Sequence, residues 1–366
     1  MQKDIGLLTI STILIICTIN LLYNPTLKSS AAVSSSLLFH HSHRDHHHHH
    51  HHHHHHITDD RLLSYANQTS IPTAPLLNTS QSNQTSIHNH LKTSKVVLIT
   101  FGDGYQSQFI LGKPVLDKYG FKGNFFVTCD RVGQSDKLTW PQLVQLYKEG
   151  NIIGSKTMSY GTHAMRDKDL NQLSAKDLEY EVGQSKQCLL NHGINTTLFA
   201  VPKNIASDNA TVVNAIAKHY DMAINGHANL MFLHCDQWKH DSDQTDCRTF
   251  SKDGKLTFAN KYSIREWSMQ HTAHGHSYDS SQMFNRFVDE LDSQNKYNKN
   301  GTITAIPIIG YHDIVPISDA RDTDEPSAST LSLFNEEMKY LHDNGYRVLT
   351  FSDLGFDNKT NYLYVK

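Results

Sequence analysis

From Lys95 onward, short apolar runs rich in β-branched and aromatic residues alternate with stretches of helical period. The runs are KVVLITF (Lys95 to Phe101), NFFVT (Asn124 to Thr128), NIIGS (Asn151 to Ser155), LFAV (Leu198 to Val201), DMAIN (Asp221 to Asn225), AIPIIGY (Ala305 to Tyr311) and YRVLTF (Tyr346 to Phe351). Each predicts a strand. Ser174 opens a capping-box sequence, Ser-Ala-Lys-Asp, and predicts a helix running to Asn191 before His192 and Gly193. Leu331, Phe334, Met338 and Leu341 share one face of a second helix that ends at Asn344 and Gly345. Shorter helices are expected after Gln108 and Trp140, from Asp208 to Tyr220 and from Ser281 to Ser293. Strand then helix, repeated, implies an α/β fold with a parallel sheet and helices outside it. The 272 residues from Lys95 to Lys366 suit one α/β barrel, whose reacting groups would sit at the C-terminal ends of the strands.

Ahead of this part the pattern changes twice. Ile5 to Leu22 forms one predominantly apolar stretch of 18 residues behind Lys3, close to the length that spans a bilayer, with no polar face. It reads as an uncleaved membrane anchor over residues 1–23, or as a secretory signal cut after Ala32; either way the remainder is exported. Residues 24–94 are rich in Ser, Thr, Asn, Gln and His with little periodicity, which marks a disordered linker or stalk. Asn-X-Ser/Thr acceptors at Asn67, Asn78, Asn83, Asn195, Asn209, Asn300 and Asn358 fit a glycosylated protein that is secreted or held on the outer face of the cell membrane.

Composition adds two restrictions. Lys and Arg total 33 against 36 Asp and Glu, a net charge of −3, so there is no electrostatic case for nucleic-acid binding. Of 27 histidines, 14 fall between His40 and His56, including the run from His46 to His56. Imidazoles on a flexible chain chelate transition-metal ions without a preformed site, so the run is a metal-binding candidate; the plainer reading is a low-complexity expansion. Cys129, Cys188, Cys235 and Cys247 follow the anchor and allow three pairings if all are oxidised. Cys235 with Cys247 is the disulfide candidate, because the two bracket a polar insertion with no core of its own.

The strand ends carry the chemistry. The first runs into Thr100-Phe101-Gly102-Asp103-Gly104, the third into Gly154-Ser155-Lys156-Thr157-Met158-Ser159-Tyr160, the fourth into Phe199-Ala200-Val201-Pro202-Lys203, and a late one into Gly310-Tyr311-His312. In this order and spacing, over essentially all of residues 95–366, the segments resemble the polysaccharide deacetylase family, the NodB-type carbohydrate esterases. The resemblance implies a distorted (β/α) barrel that removes acetyl groups from amino sugars in cell-surface polysaccharides with one divalent metal, commonly zinc. It places the catalytic base at Gly102, one metal ligand at Asp103, the two metal-binding histidines at Lys156 and Tyr160, a base-orienting Arg at Ala200, and the general acid at His312. Pro202, Trp267 and Tyr311 match positions that meet substrate.

Most of these groups are replaced. A glycine accepts no proton, a protonated ammonium donates no lone pair, and a phenol with a pKa near 10 is a poor ligand at neutral pH. A catalytic zinc needs about three protein ligands and an open position for water. Losing the base alone removes about 10²–10⁴-fold of rate. No cofactor is therefore expected in the barrel, and Lys156 is expected to stand where the ion would, paired with Asp103. Two other readings remain. In one, His163, three residues beyond Tyr160, or the cluster His271, His274 and His276 rebuilds a zinc site and the protein is an active, metal-dependent deacetylase. In the other, the polyhistidine run binds metal at the cell surface and the barrel is its scaffold.

Overall fold

The computed structural model describes residues 94–160, 168–206, 209–234, 260–273, 275–360 and 362–366. The expected anchor, the polyhistidine run, His163, His274, Cys235 and Cys247 lie outside them. No helix among the described residues is long and apolar enough to cross a membrane.

Strand β1 (Val96–Phe101) is buried at every position. Successive side chains of a strand point to opposite faces. Val96 and Leu98 accordingly join Phe126, Leu198, Ile224, Ile264 and Ile308 in one cluster, while Val97, Ile99 and Phe101 join Leu116, Leu143, Phe334 and Leu341 in another. The first cluster fills the barrel and the second lies between barrel and helices. Burial on both faces is what a parallel strand with helical cover requires.

Around β1 stand β2 (Asn124–Val127), β3 (Ile152–Ser155), β4 (Leu198–Ala200), β5 (Met222–His227), β6 (Ile264–Ser268) and β7 (Ile308–Tyr311). They pair in chain order, all parallel, and β7 pairs back onto β1 with Leu98 beside Ile308 and Phe101 beside Tyr311. The result is a closed seven-stranded (β/α) barrel, as the sequence pattern predicts.

Two expectations need correction. The run Tyr346 to Phe351 yields β8 (Arg347–Leu349), which pairs with Val96–Leu98 of β1 and stands outside the closed ring. The seventh ring strand is instead β6, whose sequence Ile-Arg-Glu-Trp-Ser has no apolar run to announce it. The apolar segment before His312 is also interrupted. Pro307 divides it, so Ala305–Ile306 pairs antiparallel with Met231–Phe232 while β7 continues the barrel. Below the barrel, β9 (Leu354–Asp357) and β10 (Tyr362–Val365) form an antiparallel pair, and Leu354 and Leu363 join the interior cluster at its N-terminal end.

The outer helices follow the predicted positions: α1 (Lys113–Lys118), α2 (Trp140–Lys148), α3 (Ala175–Glu179), α4 (Ser185–Asn191), α5 (Ala210–Ala217), α6 (Ser280–Ser293) and α7 (Leu331–Asp343). Ser174 caps α3 by accepting from Asp177 N at 3.2 Å, as its sequence suggests. The long predicted helix carries a π-turn, Tyr180–Gln184, between α3 and α4, and a second π-turn, Gln108–Gly112, precedes α1. A disulfide joins Cys129, just beyond β2, to Cys188 in α4. Closing a loop of this length stabilises by about 4 kcal/mol on the chain-entropy account.

Candidate functional site

The inward row of β1 ends in Thr100 and Gly102, and the loops that leave the C-terminal ends of the strands surround them. A cavity of about 310 Å³ opens there, bounded by Gly102, Asp103, Lys156, Asn204, Glu266 and His312 among others. The backbone around it is unusual. Asp103 (φ 64°), Thr157 (φ 74°), Lys203 (φ 60°) and Asn204 (φ 55°) all occupy the left-handed region. Thr157 is β-branched, for which this region is rarely accessible. Its buried hydroxyl accepts from Tyr160 N at 3.0 Å, which helps hold the turn. Strain of this kind persists where the surrounding structure over-determines a loop.

Lys156 and Asp103 face each other with Nζ 2.7 Å from Oδ1, and their side chains are only 11% and 19% exposed. Burial by itself would raise the Asp103 carboxyl, but the Lys156 ammonium and, more weakly, His312 overcome it and hold the group at about 2. Burial likewise disfavours the Lys156 ammonium; Asp103 and then Glu266 outweigh it and raise its pKa. His312 Nε2 lies 3.8 Å from Asp103 Oδ2. Burial, then the neighbouring Lys156, push the imidazole's pKa downward against the opposing pull of Asp103 and Glu266.

Several residues that hold this arrangement left no signal in the sequence pattern. Glu266, on the inward face of β6, accepts from Thr100 Oγ1 at 2.9 Å and from Asn204 Nδ2 at 3.0 Å. Gln108, fully buried in its π-turn, donates to the carbonyls of Gly102 (2.6 Å) and His312 (2.9 Å) and so ties the first and last motif loops together. Glu181, in the other π-turn, accepts from Ser159 N at 2.8 Å and from the Ser159 hydroxyl, anchoring the loop that carries Lys156. Alternation along β6 marks Glu266 as inward-facing only once the strand itself is known.

The remaining predicted residues are placed as follows. Tyr160 is half-buried, with Lys156 Nζ 5.7 Å from its ring centroid. Pro202 is buried in the turn after β4, and Lys203 turns outward to pair with Asp169 at 2.8 Å. Trp267 points away from the groove, lining a neighbouring cavity with Arg286. Tyr311 does not meet substrate through its side chain. Its ring packs against Phe101 and Phe334 and its hydroxyl donates to Glu337 at 2.8 Å, because residue 311 falls on the outward face of β7. His271 engages both ring nitrogens, with Glu325 O at 2.9 Å and Thr272 Oγ1 at 3.1 Å. It is a structural tie rather than a metal ligand.

Residues 89–242 match the family model described as polysaccharide deacetylase. Over this span the chain is similar to the polysaccharide deacetylases. A curated relative, the putative polysaccharide deacetylase YxkH of Bacillus subtilis (strain 168), is 32% identical over 111 residues, which is 30% of this chain and 37% of the relative's length. Among solved structures, the peptidoglycan deacetylase PdaC of Bacillus subtilis is 19% identical, with 70% of this chain and 88% of that chain covered at a TM-score of 0.40. The family 4 carbohydrate esterase of Streptomyces lividans is 12% identical, with 74% and 97% covered and the same TM-score of 0.40.

Deacetylases of this family are generally metal-dependent, so the donor set here can be tested against a divalent ion. An ion beside Asp103 would meet the Lys156 ammonium already in contact with that carboxylate. Among the described residues there is no group of three or more His, Cys, Asp or Glu side chains arranged to hold a metal. The described residues gathered at the mouth do not by themselves fit a catalytic zinc. Nor is the base position open. A Cβ added at Gly102 would lie 2.9 Å from His312 Nε2 and 3.5 Å from Lys156 Nζ, so the imidazole occupies the space a side chain there would need.

Proposed function

We propose that this protein is a glycan-binding member of the deacetylase family, acting on the cell surface, in which the hydrolytic machinery has been replaced by an internal ion pair. The observation that supports this most directly is Lys156 Nζ at 2.7 Å from Asp103 Oδ1. A fixed ammonium neutralises the carboxylate that would otherwise be expensive to bury alone. Water beside this pair gains neither a Lewis acid nor a base at position 102, and each of those contributes several kcal/mol to hydrolysis of an amide. The cavity itself persists, walled by Asn204, Glu266, Ser268 and Gln270, which offer donors and acceptors suited to sugar hydroxyls. Acetylated amino-sugar glycans are the ligand class, and export past the anchor would deliver the barrel to them.

The test pairs binding with turnover. The full chain is titrated calorimetrically with N-acetylglucosamine tetramer, and acetate release is followed with and without added zinc. Saturable binding with acetate no higher than from the His312→Ala variant is expected. Zinc-dependent acetate release that the variant abolishes would establish an active deacetylase instead.

A further inference from the structure

Four Asn-X-Ser/Thr acceptors fall on described residues, Asn195, Asn209, Asn300 and Asn358, and the barrel divides them. In a parallel barrel every helix-to-strand connection crosses the end opposite the mouth. Asn195 lies between α4 and β4. Asn300 lies between α6 and β7, in a segment tied to the start of β1 by Asn298, whose Nδ2 donates to Ser94 O at 3.1 Å and to Ala305 O at 2.8 Å. Asn358 is in the turn that joins β9 to β10 below the barrel. All three therefore stand at the closed end. Asn209 follows β4 and starts α5, on the side of the mouth.

At the closed end the local structure turns each acceptor outward. Burial alternates from Ile194 to Leu198, so Asn195 and Thr197 share an exposed face while Thr196 points inward. Asn300 (φ 57°) and Gly301 (φ 78°) form the tip of a tight turn closed by Thr302 N, which donates to Lys299 O at 3.0 Å; asparagine tolerates this left-handed backbone. The turn at Asn358 is held by its neighbour, since Asp357 accepts from Lys359 N at 2.8 Å and from Thr360 Oγ1 at 2.9 Å. The side chains of Asn195, Asn300 and Asn358 are exposed and make no hydrogen bond among the described residues, so each amide nitrogen can take a substituent without losing a contact. Asn209 differs. It is half-buried, its Oδ1 caps α5 by accepting from Val212 N at 3.0 Å, and Thr211 already lies inside the helix, so a bulky group on Nδ2 would crowd the cap.

We propose that Asn195, Asn300 and Asn358 are N-glycosylation sites that cover the closed end of the barrel, while Asn209 is unmodified and the mouth stays clear. In each transfer Asn Nδ2 forms a bond to the anomeric carbon of an oligosaccharide, the bond from that carbon to its polyprenyl diphosphate carrier breaks, and the amide proton leaves with the diphosphate. The inference needs the export proposed above but not the glycan-binding reading of the groove.

The experiment produces the full chain through the secretory pathway of a eukaryotic host, treats it with peptide N-glycosidase in heavy-oxygen water and maps the peptides by mass spectrometry. Each glycosylated Asn becomes a labelled Asp, and a parallel sample without the glycosidase corrects for spontaneous deamidation at Asn300-Gly301. Label is expected at positions 195, 300 and 358 and not at 209. An unlabelled closed end in a protein that is labelled at Asn67, Asn78 or Asn83 overturns the assignment and leaves export standing. Label at Asn209 overturns the unmodified mouth. Absence of label from every acceptor overturns export as well.

Discussion

At position 156 an ammonium places a positive charge at the barrel mouth, against Asp103. The pair it forms with Asp103 is largely buried, and such pairs are revealing when one member is removed, because the survivor is left as an uncompensated charge. Lys156→Met should therefore destabilise the chain by about 3–5 kcal/mol at pH 7. The pH dependence has a definite sign. In the wild type the folded carboxyl titrates at about 2, below its unfolded value of about 3.9, so its contribution is present above pH 4 and disappears as pH falls toward 2. In the variant the unpaired carboxyl would titrate above 3.9 instead, and protonation on acidification would relieve it. The stability gap between the two proteins should narrow as pH falls from 7 to 4, measured by urea denaturation at each pH. Equal stability at pH 7 would show that Asp103 does not depend on the ammonium.

At the scale of elements, a buried acid connects helix α7 to the barrel. Glu337 is fully buried, its partner is the Tyr311 hydroxyl at 2.8 Å, and burial raises its carboxyl well above the ordinary range. A raised folded pKa means stability that is complete below about pH 4.3 and is lost as pH rises toward the folded value, at up to about 1.4 kcal/mol per unit. Glu337→Gln keeps a partner for Tyr311 and removes the titration, so urea midpoints between pH 5 and 8 should slope less than those of wild type. Parallel slopes would place the proton elsewhere. The same pair shows where sequence reading stops. Strands β1 to β5 and the face of α7 carrying Phe334, Met338 and Leu341 were legible because apolar periodicity reports burial directly. Strand β6 was not, since Arg265, Glu266 and Trp267 break the apolar run, and the same residues include the one that braces Thr100 and Asn204. The motif loops suggested that Asp103, Lys156 and His312 are neighbours, and in the structure Lys156 Nζ lies 2.7 Å and His312 Nε2 3.8 Å from the Asp103 carboxylate. Tyr311 looked like a groove residue because it adjoins His312, but alternation along β7 sends neighbouring side chains to opposite faces. The π-turns holding Gln108 and Glu181 have no sequence signature, and long-range bonds such as Gln108 to the His312 carbonyl become visible only in three dimensions.

For the molecule as a whole, the barrel and the polyhistidine run make opposite demands on a metal ion. The barrel presents an ammonium against its retained carboxylate, whereas the run between His46 and His56 offers many neutral imidazoles, the commonest metal ligands in proteins. If the groove is a glycan cleft held by an internal cation, metal taken up by the full chain belongs to the run. Deleting residues 40–56 should then abolish zinc uptake, measured by elemental analysis after dialysis against micromolar zinc. The barrel's melting temperature and its affinity for N-acetylglucosamine tetramer should be retained. One zinc per chain surviving the deletion, and lost on Asp103→Asn, would instead require a coordination site at the barrel mouth and a displaced Lys156. The two outcomes separate because the segment removed shares no residue with the cavity walls, so its loss bears on the ion alone.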